Sequence, residues 1–149
     1  MREVRRSALV PYSPAQMYAL VNDVAGYPAF VPFCPATRVL EASATSLTAS
    51  IDIARAGVRV SLTTRNSLVP DQSIHMVLKD GPLKTFDGRW QFIAIRDASE
   101  ALKGCRVELS VDFEFRNAAL GLVAGPVFES SWDQLVDAFV RRAHEIYGG

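Results

Sequence analysis

A chain of 149 residues with 49% hydrophobic and 21% charged side chains has the makeup of one folded domain and not of a disordered segment. Sixteen Lys and Arg balance sixteen Asp and Glu, so the formal net charge is zero, which excludes the broad basic footprint of a DNA-binding protein. No apolar run approaches the ~20 residues needed to span a bilayer, and Cys34 and Cys105 form no C-x-x-C pair.

In chain order, Arg2 to Val10 alternates like a strand and ends at Pro11. Ser13 stands as an N-cap with Pro14 at the first helical position and Gln16 completing a capping box, so a short helix runs from Pro14 to about Asp23. The segment from Gly26 to Cys34 carries Pro28 and Pro32, with Pro35 next. It can form only a helical turn and a loop, yet it holds Tyr27, Phe30, Val31 and Phe33. Such a loop must press onto other apolar surface. Two-residue alternation then predicts strands over 47–53, 58–68, 74–79, 90–94 and 107–116, separated by turns at Ala56-Gly57, Pro70-Asp71 and Gly81-Pro82. About six strands in all should follow the short helices as a meander, each burying one face. From Asn117 the period becomes helical, with Leu120, Val123, Val127, Phe128, Trp132, Leu135, Val136, Phe139, Ala143 and Ile146 on one stripe. Gly125-Pro126 is expected to kink or interrupt this helix early, leaving a longer half from Val127 to Tyr147.

This order of elements resembles the polyketide cyclase/START-like superfamily, and most closely its branch of RatA-type ribosome-association proteins and coenzyme Q-binding START-domain proteins. The resemblance spans nearly the whole chain. It rests on Ser7–Ser13, Leu20–Pro28, Phe30–Cys34, Thr63–Asn66, Asp80–Lys84 with Gly88–Phe92, Phe113–Phe115, and Val136–Phe139 with Arg142-Ala143 and Tyr147-Gly148. Two departures are mild: Phe33 replaces a Trp common before the cysteine, and Leu83 replaces a Phe common after Gly-Pro. The resemblance implies one α+β domain over residues 1–149 with the helix-grip fold, a curved antiparallel sheet of six to seven strands around a long C-terminal helix. It also implies two activities. Some relatives bind ubiquinone in a hydrophobic tunnel and support respiration, and others are toxins that bind the large ribosomal subunit and block subunit joining.

No residue pattern points to catalysis. His75 is expected on the polar side of a strand and His144 in the last turn of the helix, and no Cys/His cluster suggests zinc. Glu108, Asp112 and Glu114 share a solvent-facing strand side. The chain is therefore read as a binding protein that requires no cofactor, with ubiquinone or a similar isoprenoid lipid as ligand. The expected lining is Tyr27, Phe30, Phe33, Met76, Phe86, Trp90, Phe92, Val111, Phe113, Val136 and Phe139, with Tyr27 as hydrogen-bond donor to a quinone carbonyl. The alternative partner, the large ribosomal subunit, would meet a local cationic surface drawn from Arg59, Arg65, Lys84, Arg89, Arg141 and Arg142. The terminal basic groups Arg2, Arg5, Arg6 and Arg141, Arg142, His144 are otherwise read as solvated faces. No leader is evident and both thiols suit a reducing compartment, so a bacterial cytoplasmic location is expected, with any membrane contact peripheral to the inner membrane.

Overall fold

The computed structural model describes residues 2–148. The elements are β1 (Arg2–Val10), α1 (Pro14–Asn22), a 3-10 turn over Val24–Ala29, β2 (Thr37–Ala42), β3 (Ser46–Arg55), β4 (Val58–Val69), β5 (Ser73–Asp80), β6 (Leu83–Arg96), β7 (Leu102–Phe115) and α2 (Ala118–Tyr147). All pairings are antiparallel, in the order β1-β7-β6-β5-β4-β3-β2. Strands β2 to β7 form the expected meander, and β1 closes onto β7. The fold is the helix-grip α+β architecture expected from the sequence.

Local chemistry accounts for the start of each helix. Ser13 Oγ accepts from the Gln16 amide at 3.1 Å while Gln16 Oε1 accepts from the Ser13 amide at 2.8 Å, a complete capping box. Asn117 caps α2 by accepting from the amides of Ala119 and Leu120.

The buried stripe of α2 lies along the inner face of the sheet. Phe128 meets Phe113 edge-on with centroids 4.8 Å apart, Trp132 meets Phe86 at 5.4 Å, and Phe139 meets Trp90 at 5.4 Å. Spacings of this kind mark a close-packed aromatic core. Gly88 shows how little space remains: a Cβ there would sit 2.6 Å from the Met76 methyl. Beside β1, Arg6 donates to the Asp133 and Asp137 carboxylates at 3.2 and 2.8 Å, and Arg2 pairs with Glu129 at 3.1 Å. Two of the N-terminal arginines thus fasten an edge strand to the helix.

Three expectations are corrected. Gly125-Pro126 does not interrupt α2, which runs unbroken over thirty residues. The carbonyl that Pro126 cannot serve belongs to Leu122, in an exposed part of the helix where water can reach it. The stripe positions Leu120, Val123 and Ile146 are exposed (38%, 66% and 49%), the buried face of the helix running instead from Ala124 through Phe128, Trp132, Leu135 and Phe139 to Ala143. Strand β3 does not have one wet face: Thr48, Ser50 and Asp52 on its outer side are buried. The side chains of Arg38 and Arg59 reach over this side to Asp52, at 3.6 and 3.4 Å. One strand, β2, was not located by alternation, since only Thr37 in it is even partly buried.

Candidate functional site: a nearly closed hollow and a cationic outer face

The proline-rich segment folds where the sequence requires it. The 3-10 turn presents Tyr27, which stacks edge-on with Phe139 at 5.2 Å, and the loop after it lays Val31, Phe33 and Cys34 beside β3. The Cys34 amide donates to Val31, and the Ala54 amide donates to Phe33, so the loop is stitched to the sheet through its backbone. Under this loop lies one apolar hollow, lined by Tyr27, Val31, Phe33, Cys34, Ile51, Ile53, Ser131, Trp132 and Leu135. The cavity it encloses is about 10 Å³. That is room for a single water, against roughly 300–1,000 Å³ for a drug-sized ligand site.

Of the eleven residues expected to line a tunnel, Tyr27 and Phe33 border this hollow. Phe30 sits at its outer side, half-buried, edge-on to Phe139 at 5.5 Å and beneath the Arg142 guanidinium at 5.2 Å. Met76, Phe86, Trp90, Phe92, Val111, Phe113, Val136 and Phe139 are buried core, 0–6% exposed, packed against one another and against α2. Tyr27 cannot donate to a ligand carbonyl as expected, because its hydroxyl already donates to the Val21 carbonyl. Burial holds its phenol well above the ordinary pKa, so the proton stays in that bond. Sequence reasoning missed Val31, Cys34, Ile51, Ile53, Trp132 and Leu135 as lining, although Val31 and Cys34 lie in the apolar loop and the others on recognised apolar stripes. It had no signal for Ser131, whose hydroxyl donates to Val127 one turn back at 2.8 Å and is thereby neutralised inside the core.

The expected cationic residues divide among three places. Arg59, Arg65 and Arg89 point from the outer face of the sheet, where Lys79 joins them. Arg65 and Arg89 flank β5, opposite Val77 and His75 respectively, and neither has a carboxylate partner among the described residues. Arg59 shares Asp52 with Arg38 and remains 64% exposed. The Ser61 hydroxyl donates to Asp52 at 2.7 Å and, with both arginines, holds its carboxyl below the usual range. Lys84 lies at the far end of β6 beside Arg116. Arg141 lines a polar groove outside Phe33 with Arg55, Gln134 and Asp137, and Arg142 pairs with Glu145 at 3.1 Å. His75 bonds Asp87 at 3.0 Å and His144 bonds the Tyr12 hydroxyl at 2.5 Å, so each has a local partner. Among the described residues no group of His, Cys, Asp and Glu is arranged to hold a metal ion.

A model of the family described as "Polyketide cyclase / dehydrase and lipid transport" matches residues 10–140. The chain belongs to this family. Within it, the chain is 44% identical over 147 residues to the ribosome association toxin RatA of Escherichia coli K12, covering 99% of this chain and 90% of that protein. It is 45% identical over 148 residues to RatA of Vibrio cholerae, covering 99% of each. A coenzyme Q-binding protein COQ10 homolog from Xenopus laevis matches at 29% identity over 98% of this chain and 59% of that protein. Among solved structures, the ZhuI aromatase/cyclase from Streptomyces superposes with a TM-score of 0.79 at 22% identity over 99% of this chain and 98% of that one. The fold of this family therefore carries both enzymes and proteins named for binding.

Proposed function

We propose that this family member is a non-catalytic, cytoplasmic ribosome-associating protein that engages the large subunit through the outer face of β4–β6. The observation that carries the reading is the filled interior: eight of the residues expected to line a tunnel are core, and the remaining hollow holds about 10 Å³. A long isoprenoid has no room there without the core opening. The surface offers what phosphate recognition needs. Arg65 and Arg89 are exposed guanidiniums with no carboxylate partner among the described residues, about 12 Å apart on the diagonal across β5, with Lys79 beside Arg65. Identity of 44–45% across full length to proteins named for ribosome association supports the same choice. A sucrose-gradient profile after overexpression tests it. Free subunits should accumulate at the expense of whole ribosomes, and an unchanged profile would overturn the reading.

A second reading, binding of ubiquinone or a related hydrophobic molecule, is favoured by one observation. The hollow exposes only apolar surface and Phe33 borders both it and the outer groove of Arg55 and Arg141, so a swing of that ring would bring the two together. Titration with a short-chain quinone should then quench Trp132 on the hollow wall, and solvent extraction of purified protein should release the native ligand. An unquenched Trp132 and an empty extract would remove this reading.

A further inference from the structure

The first turns of α2 pack Gly121 and Ala124 inward and carry apolar side chains on their other faces that no described residue covers. Leu122 is 79% exposed, Val123 66% and Leu120 38%, next to exposed Ala118 and Ala119. No charged residue occurs between Arg116 and Glu129, so this end of the helix is free of ionised side chains over three turns. Its immediate rim is basic. Lys84 and Arg116 border the groove beneath Ala118, Gly121 and Leu122 together with Arg2, against Glu114 alone on that rim. Arg2 is held by Glu129, whereas Lys84 and Arg116 have no carboxylate partner among the described residues, Arg116 donating only to the Leu83 carbonyl. The helix begins here with no acidic residue in its first turn, so the positive end of its dipole adds to the same sign.

We propose that this tip docks onto an anionic lipid bilayer, with Leu120, Leu122 and Val123 entering the headgroup–acyl boundary while Lys84 and Arg116 meet lipid phosphates. The combination of features selects that occupant. A polyanion such as RNA would engage the two cations but leave the leucines in water. A second copy of the chain would cover the leucines but bring Lys84 and Arg116 against their own counterparts. An anionic membrane satisfies both halves at once, in the manner of a peripheral anchor, and no helix of the described chain is long and apolar enough to cross it. This inference stands apart from the ribosome reading, since it uses the start of β6, five positions before Arg89, and none of the outer-face arginines.

The test is co-sedimentation of the full chain with phosphatidylcholine vesicles made with and without phosphatidylglycerol. Two surface cations predict roughly 30-fold tighter binding to the anionic vesicles at low salt, falling as salt rises. Leu122→Asp should abolish that binding while leaving the thermal unfolding curve unchanged, because the side chain is outside the core. A Val123→Cys variant labelled with an environment-sensitive fluorophore should shift to the blue only with anionic vesicles. Equal affinity for both vesicle types, binding retained in Leu122→Asp, or a wild-type dimer in gel filtration that Leu122→Asp dissociates would each overturn the proposal.

Discussion

Replacing Leu135 with Ala tests whether the interior is as full as the packing indicates. Leu135 is 5% exposed, on the face of α2 that closes the hollow against Tyr27, Ile51 and Ile53. Truncation removes three buried carbons, at about 0.8 kcal/mol each, for a transfer loss of about 2.4 kcal/mol. If the surrounding side chains hold position and the hollow grows by roughly 60 Å³, a cavity cost near 24 cal/mol per Å³ adds about 1.4 kcal/mol. The total of about 4 kcal/mol should lower the melting temperature by roughly 8–16 °C for a domain of this size. Calorimetry or denaturant unfolding reads it directly. The enlarged space should also admit a small apolar molecule such as benzene, detected as a ligand-dependent recovery of melting temperature that the wild type does not show. A loss below about 1 kcal/mol would mean that Leu135 already faces open space, and the claim of a filled interior would fail.

Two further predictions concern titrating groups. Asp52 has a depressed pKa in the folded chain, first through the Ser61 hydroxyl and then through Arg38 and Arg59, so it contributes stability above the ordinary carboxylate pKa. That contribution should vanish as pH falls from about 4 through the lower folded value, and Asp52→Asn should flatten acid-induced destabilisation over that window in denaturant titrations. Burial pushes the Cys34 thiol up and the Cys105 thiol to about 11, so both stay protonated at neutral pH. Neither should react with a thiol reagent until denaturant is added, and rapid labelling of folded protein would contradict their placement.

The fold was readable from periodicity because most strands bury one face only. The alternation from Val107 to Phe115 is reproduced residue by residue in the burial of β7. Strand β2 escaped because an exposed edge has no apolar face to show. The outer side of β3 misled for a related reason: Thr48, Ser50 and Asp52 look solvent-facing, and only their cross-strand partners reveal the arginines above them. Pro126 reads as a breaker in any sequence, yet its cost depends on whether the freed carbonyl faces water, which is a property of the assembled helix. The hollow was the least legible feature. Aromatic residues mark where volume is supplied, and the amount left over follows from how Phe86, Phe113, Phe128 and Trp132 interlock. The loop from Tyr27 to Cys34 lies against the interior as its apolar content requires, but the Tyr27 hydroxyl is taken by the Val21 carbonyl of α1, six residues back, a contact that no spacing pattern displays.

The most direct test of surface action by a filled domain is binding of purified protein to purified large ribosomal subunits, comparing wild type with Arg65→Glu/Arg89→Glu. Both arginines are exposed and have no carboxylate partner among the described residues, so the double variant should fold normally and lose binding at moderate salt, while Leu135→Ala, folded at low temperature, should still bind. Undiminished binding by the double variant, or binding that depends on added quinone, would contradict the account.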